Sequence, residues 1–273
     1  MLFKRLLTAL FLIPITLFLT LQSNHLLFSL AIMFVFALAS FEYTSLIGLQ
    51  NRWIRLIYVF SLLLFFYFLN RQAIEFMPNW MVYFLAFSSL WWAFNCYLII
   101  VFPKYSSVFK QGNLIQLFTG VMIFIPMLVS LAAIHRIDNM ALLLLFLLVW
   151  SSDVGGYFFG KKLGKYKLCP MVSPGKTIEG ALGGALLSIF VVNIFVYFLF
   201  EPSAIDQYFY FSILSIIVSC ASILGDLLES ALKRLSNKKD SGRLLPGHGG
   251  IFDRTDRLTA AAPFFFIVYV IIT

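Results

Sequence analysis

Residues 114–160 read LIQLFTGVMIFIPMLVSLAAIHRIDNMALLLLFLLVWSSDVGGYFFG, two apolar runs separated by a short polar break that contains His135, Arg136 and Asp138. Each run is about 20 residues, the length a helix needs to cross roughly 30 Å of hydrocarbon. Two adjoining runs of that length predict a membrane hairpin. Working outward, the same pattern predicts spans at 6–22, 26–49, 53–69, 80–102, 114–134, 139–160, 178–200, 207–229 and 258–273. The expected fold class is therefore all-α, a polytopic membrane helical bundle of about nine transmembrane helices. The third and ninth spans are short, which leaves tilted, interfacial or partly re-entrant placements open.

Composition agrees. The 273 residues are 61% hydrophobic and 12% charged, with 32 Phe. An ordinary soluble domain carries roughly 25% charge, and no soluble fold of this size could bury so much apolar surface. Cys96, Cys169 and Cys220 show neither disulfide nor zinc spacing. The start, with Lys4 and Arg5 before an apolar stretch, has the outline of a signal peptide, but no small-x-small cleavage site follows. A retained first helix is expected.

Basic residues bias strongly to one face. With the N-terminus cytoplasmic, 18 of the 20 Lys and Arg residues fall in inside segments, and only Arg71 and Arg136 fall outside. The chain divides into N-terminal transmembrane helices (1–135) and a C-terminal region (136–273) with two cytoplasmic loops, 161–177 and 230–257. Both loops are basic and glycine-containing, and both return to one membrane surface. No internal repeat or heptad run is visible.

Charge inside a span is costly, about 2.5–3.5 kcal/mol at mid-bilayer on insertion scales. Glu42, Asp153, Glu179, Asp226 and Glu229 therefore call for an account. Glu42 reads equally well as a structural pair with a base or a helix hydroxyl. Glu179 opens its helix, where the macrodipole favours an acid. Asp153 sits among small residues that let helices approach, yet reads better as functional. Asp226 and Glu229, three residues apart, share a helix face with Ser222, Ser230 and Lys233. A plain Glu229–Lys233 ion pair is the structural alternative.

The segment SALKRLSNKKDSGRLLPGHGGIFDRTDRL, 230–258, interleaves acids with bases. An anionic-lipid patch would need only the bases. Carboxylates beside Lys and Arg suit a metal–phosphate site, because Mg²⁺ takes hard oxygen ligands and basic residues hold the remaining phosphate charge. His248 reads as a ligand, a general acid or a turn-positioning group. Gly175-Lys176-Thr177 resembles the end of a phosphate-binding loop, but Pro170 stands where that motif needs Gly, and no strand is expected before it. Lys176 and Thr177 still form an anion site at a helix start, with Ser173 beside them.

These residues resemble one family. Ser230–Asp256 follows S-x-L-K-R, four residues, K-D-x-G, two residues, then L-P-x-H-G-G-I-x-D-R-T-D, the signature of phosphatidate cytidylyltransferases (CDP-diacylglycerol synthases). Ser152-Asp153, Gly156-Tyr157, Phe159-Gly160, Ser173-Pro-Gly-Lys-Thr177, Gly180 and Gly225-Asp226-Leu-x-Glu229-Ser230 resemble it too. The resemblance spans about 105 residues of the C-terminal half. It implies transfer of a cytidylyl group from CTP to phosphatidate, releasing pyrophosphate, with Mg²⁺ as cofactor. A second cation and a homodimer stay open. It implies Asp226, Asp253 and Asp256 as metal ligands. Lys233, Arg254 and Arg257 join Asp226 and Asp253 as catalytic residues. Asp153, Ser173, Lys176, Thr177, Glu229, Arg234, Lys239 and His248 become substrate-binding. Partners are then CTP, phosphatidate and membrane lipid, with no nucleic acid, in the cell inner or plasma membrane with the site facing the cytoplasm. Against this stand a transporter or channel using the buried carboxylates, which inverted halves would favour and none are visible, and a CDP-alcohol phosphotransferase, whose D-G-x₂-A-R pattern is missing.

Overall fold

The computed structural model describes residues 2–72, 78–102, 114–199, 205–242, 244 and 249–272, with backbone alone for 2–9, Leu199 and Ile205. The chain forms α1 (Leu2–Leu21), α2 (His25–Leu46), α3 (Arg52–Gln72), α4 (Asn79–Ile100), α5 (Leu114–Ile137) and α6 (Asn139–Leu163). A hairpin follows, β1 (Lys167–Cys169) and β2 (Ser173–Thr177), then α7 (Ile178–Leu199), α8 (Ile205–Leu235) and α9 (Phe252–Ile272). Among the described residues, eight helices are long and apolar enough to cross a membrane, and the described part of α1, Leu10–Leu21, is apolar too. The protein is a multi-pass membrane protein.

Helix α5 lies at the centre. It is apolar on every side and 83% of its apolar window is buried, the pattern of a helix enclosed by others. Phe124, Ile125 and Leu128 at its middle are fully covered. Helix α3 is the opposite case: Trp53, Ile57 and Phe60 are more than 60% exposed, as lipid-facing side chains are. Two N-caps set helix starts. Asn24 Oδ1 accepts from Leu27 N at 2.8 Å before α2, and Asp138 Oδ1 accepts from Met140 N at 2.8 Å before α6.

Helices α6 and α7 pack most closely, through glycine. A Cβ on Gly155 would come within 2.8 Å of Gly183 O, and one on Gly180 within 2.8 Å of Gly156 O. Small residues at i and i+4 let two backbones meet in this way. Helix α8 has 31 residues, about 46 Å at 1.5 Å per residue, longer than the hydrocarbon. Its basic end therefore projects beyond the membrane.

Three expectations are corrected. The third and ninth helices are full-length, 21 residues each. Helix α9 starts at Phe252 rather than 258, because the run D-R-T-D-R places Asp253 in its first turn, where the helix dipole favours an acid. Residues 167–177 were expected to be an irregular loop and instead pair antiparallel, Lys167 with Thr177 and Cys169 with Ser173. Strands of three and five residues turned by Pro170–Val172 are too short to show an alternating pattern.

Candidate active site

The hairpin is latched onto the start of α7. The Glu179 carboxylate accepts from Tyr166 N at 3.1 and 3.2 Å, and Thr177 Oγ1 accepts from Gly180 N at 3.1 Å as the helix cap. Thus Glu179 holds the turn, in keeping with its structural reading. At the tip, Arg234 Nε of α8 donates to Val172 O at 3.1 Å. These contacts deliver Lys176 to the face of α8.

There Lys176 Nζ lies 2.9 Å from Asp226 Oδ2. Arg257 Nη2 of α9 reaches the same oxygen at 3.1 Å, and Arg257 Nη1 pairs with Asp153 Oδ1 of α6. Ser230 Oγ donates to Asp226 Oδ1 at 3.3 Å. Four elements thus contribute one alternating series, Asp153, Arg257, Asp226, Lys176. The series lines a cavity of about 510 Å³. Ser152, Gly156, Tyr157 and Gly160 of α6, Ser173 and Thr177 of the hairpin, and Ser222 of α8 complete its polar wall, while Leu168, Ala181 and Ile223 make it partly apolar.

One turn further along α8 and α9, a second cluster adjoins the first. Lys233 Nζ is 2.7 Å from Glu229 Oε2 and 2.8 Å from Asp253 Oδ1. The Glu229–Lys233 pair of the structural reading therefore exists, and Lys233 also crosses to α9. Asp253 Oδ2 accepts from Ser241 N at 3.0 Å and Gly250 N at 2.8 Å. Asp256, between Asp253 and Arg257 along α9, is 4% exposed.

The expected site residues divide accordingly. Asp153, Ser173, Lys176, Thr177, Asp226 and Arg257 line the cavity. Asp253, Lys233 and Glu229 form the adjoining cluster, and Arg234 braces the hairpin. Arg254 and Lys239 are exposed and do not line it. Lys239 borders a separate hollow of about 410 Å³ with Lys238, Asp240 and Ser241. His248 lies outside the described residues. Gly225, part of the family motif, faces α9: a Cβ there would stand 2.9 Å from Thr259 Oγ1 and closer still to Asp256 O. It is a packing glycine. Lys161, which sequence reasoning passed over, also lines the cavity. Its signal was a basic residue one position after Gly160.

Among the described residues, the Glu42 carboxylate pairs with neither a base nor a helix hydroxyl. Its Oε2 accepts from Ser241 Oγ at 3.1 Å and Phe252 N at 2.9 Å, joining α2 to the segment before α9.

Sequence comparison meets this geometry directly. A profile described as the cytidylyltransferase family matches residues 3–272. The chain belongs to that family. It is similar to the phosphatidate cytidylyltransferase of Haemophilus influenzae, 40% identical over 189 residues, 66% of this chain and 65% of the relative. The phosphatidate cytidylyltransferase of Pseudomonas aeruginosa is 34% identical over 269 residues, 97% of this chain and 96% of the relative. That of Bacillus subtilis is 42% identical over 138 residues, half of each chain. For a cytidylyltransferase, an alternating series of acids and bases around a cavity is apt, because the family's substrates carry phosphate.

The residues present suit a divalent ion. Mg²⁺ commonly takes one or two protein carboxylates and completes its shell with water and substrate phosphate oxygens. Asp226 offers hard oxygen donors on the cavity wall, and its present partners Lys176 and Arg257 are groups that a phosphate would draw toward itself. Among the described residues no three His, Cys, Asp or Glu side chains form a preassembled metal cluster.

Proposed function

We propose that this protein transfers a cytidylyl group from CTP to phosphatidate, giving CDP-diacylglycerol and pyrophosphate, at the cytoplasmic face of a cell membrane. The observation that carries this reading is the Lys176–Asp226–Arg257–Asp153 series on the wall of one cavity, in a chain of the cytidylyltransferase family.

The chemistry follows from the charges. A phosphatidate oxygen attacks the α-phosphorus of CTP, and the bond from that phosphorus to the oxygen bridging to the β-phosphate breaks. Pyrophosphate leaves. Two anions must meet, so the site has to offset their repulsion. Lys176 and Arg257 hold phosphate oxygens, Arg257 with a fork suited to two at once. Ser173 and Thr177 sit beside them on β2, at the start of α7. Asp226 holds a bound Mg²⁺, with Asp253 and Asp256 as the further carboxylates implied by the family resemblance. Such an ion, when bound, neutralises charge on the reacting phosphates. Lys233 holds Asp253 and Glu229 together, and so keeps α8 and α9 in register beneath the site.

The lipid enters sideways. Tyr157, Ala181 and Ile223 give the cavity an apolar margin between α6, α7 and α8, where a head group at the membrane surface can reach Asp153 and Asp226. The bias of Lys and Arg to one side supports a cytoplasmic position for that surface.

Purified protein incubated with α-labelled CTP, phosphatidate and Mg²⁺ should place the label in a lipid, and γ-labelled CTP should yield labelled pyrophosphate instead. Chelation should stop both and added Mg²⁺ restore them. Label remaining in CTP throughout would refute the reading.

A further inference from the structure

We propose that Glu42 is a positioning residue for this transfer: from the N-terminal half of the chain it fixes the turn that aims Asp253, and through Asp253 the ammonium of Lys233. The inference rests on the function proposed above and assigns a role to a residue outside the C-terminal signature.

A carboxylate 5% exposed on an apolar helix is expensive unless its lone pairs are met. Glu42 makes no ion pair among the described residues. Its donors come instead from both ends of one segment, the Ser241 hydroxyl and the backbone N–H of Phe252, both to Oε2, while the buried Oε1 has no hydrogen-bond partner among the described residues. One side chain therefore ties Ser241 to Phe252. The fit is tight, since a Cβ on Gly242 or Gly250 would run into the Glu42 carboxylate. Only glycine at these two positions lets the backbone lie against it.

The same turn holds Asp253. Ser241 N and Gly250 N donate to Asp253 Oδ2, and Ser241 Oγ, while donating to Glu42, accepts from Asp253 N at 3.2 Å. Asp253 Oδ1 then meets Lys233 Nζ at 2.8 Å. Glu42 and Asp253 thus grip the turn from opposite sides. If the turn slips, both backbone donors to Asp253 move with it, and the Lys233 bridge loses its fixed end. A displacement near 1 Å at a reacting group can cost about 100-fold in rate.

The test uses Glu42→Ala, Glu42→Gln and Ser241→Ala in the full-length protein in detergent. Gln keeps a carbonyl oxygen able to accept from Ser241 and Phe252, so it should rescue. Hydrogen exchange should quicken at amides 241–253 in Glu42→Ala and stay near wild type in Glu42→Gln. In the folded fraction, kcat should fall about 100-fold for Ala, with the KM for phosphatidate unchanged and Gln recovering most of the loss. Ser241→Ala, which removes only the bridging hydroxyl, should show a smaller fall in kcat with the same unchanged KM. A folded Glu42→Ala with wild-type kcat would overturn the proposal, and so would a Gln variant as slow as Ala. If the wild type makes no CDP-lipid, the proposed function fails, while the exchange pattern still decides whether Glu42 sets the turn.

Discussion

Lys176 of the hairpin and Asp226 of α8 meet at 2.9 Å, 50 residues apart in sequence, and this contact joins the two halves of the site. Because Arg257 shares the same Asp226 oxygen, three elements are fixed by one carboxylate. The arrangement is electrostatic rather than apolar. It is held ready for an anion that competes for the two cations.

Arg257 should behave as the hub. Its side chain is 27% exposed, so removing it leaves Asp226 and Asp153 short of a partner in a partly desolvated site. Arg257→Met should cost about 2 kcal/mol of stability, below the 3–5 kcal/mol typical of a fully buried broken pair. Combining it with Asp153→Asn should cost less than the sum, because the two residues interact directly. Thermal unfolding of the two single variants and the double variant in one detergent measures the coupling.

Glu179 holds the hairpin by its backbone, away from the reacting groups. Glu179→Ala should therefore raise the KM for CTP several-fold while leaving kcat close to wild type. Steady-state kinetics with CTP varied at saturating phosphatidate reads the split. An unchanged KM would mean that the hairpin needs no latch.

Gly225 should tolerate little. Even Ala would press on Asp256 O and Thr259 Oγ1 between α8 and α9, and overpacking of this kind costs about 1–3 kcal/mol. Gly225→Ala should lower the melting temperature. A bulky probe of lipid entry belongs at Ala181 instead, where Ala181→Trp should raise the KM for phosphatidate.

Sidedness can be read by thiol labelling. With Cys96, Cys169 and Cys220 replaced, a Cys at Lys165 and one at Lys239 should react with an impermeant maleimide from the same side of sealed vesicles, and a Cys at Arg71 from the other. Labelling of Lys165 and Lys239 positions from opposite sides would separate the two halves of the site.

Much of this was legible in the sequence for physical reasons. Runs of about 20 apolar residues have one stable solution in a bilayer, so the helices of the bundle could be counted. The acids of α8 share a face by helical spacing, and Asp226, Lys176 and Arg257 do converge. What escaped depends on tertiary contact. The hairpin is too short to show a period, and its stability comes from Glu179 and Arg234. The start of α9 was hidden because a charged helix face turned toward α8 has the composition of a loop. Glu42 finds its partners 199 and 210 residues away, a pairing that no local pattern encodes.

The most direct measurement is CDP-diacylglycerol formation by purified Asp226→Asn, with thermal unfolding and gel filtration establishing that it folds. Asn keeps the shape and removes the charge on which Lys176 and Arg257 converge. The account predicts turnover lost to the assay background, at saturating CTP, phosphatidate and Mg²⁺, in a protein that elutes like the wild type. Near-normal turnover by the folded variant would contradict it.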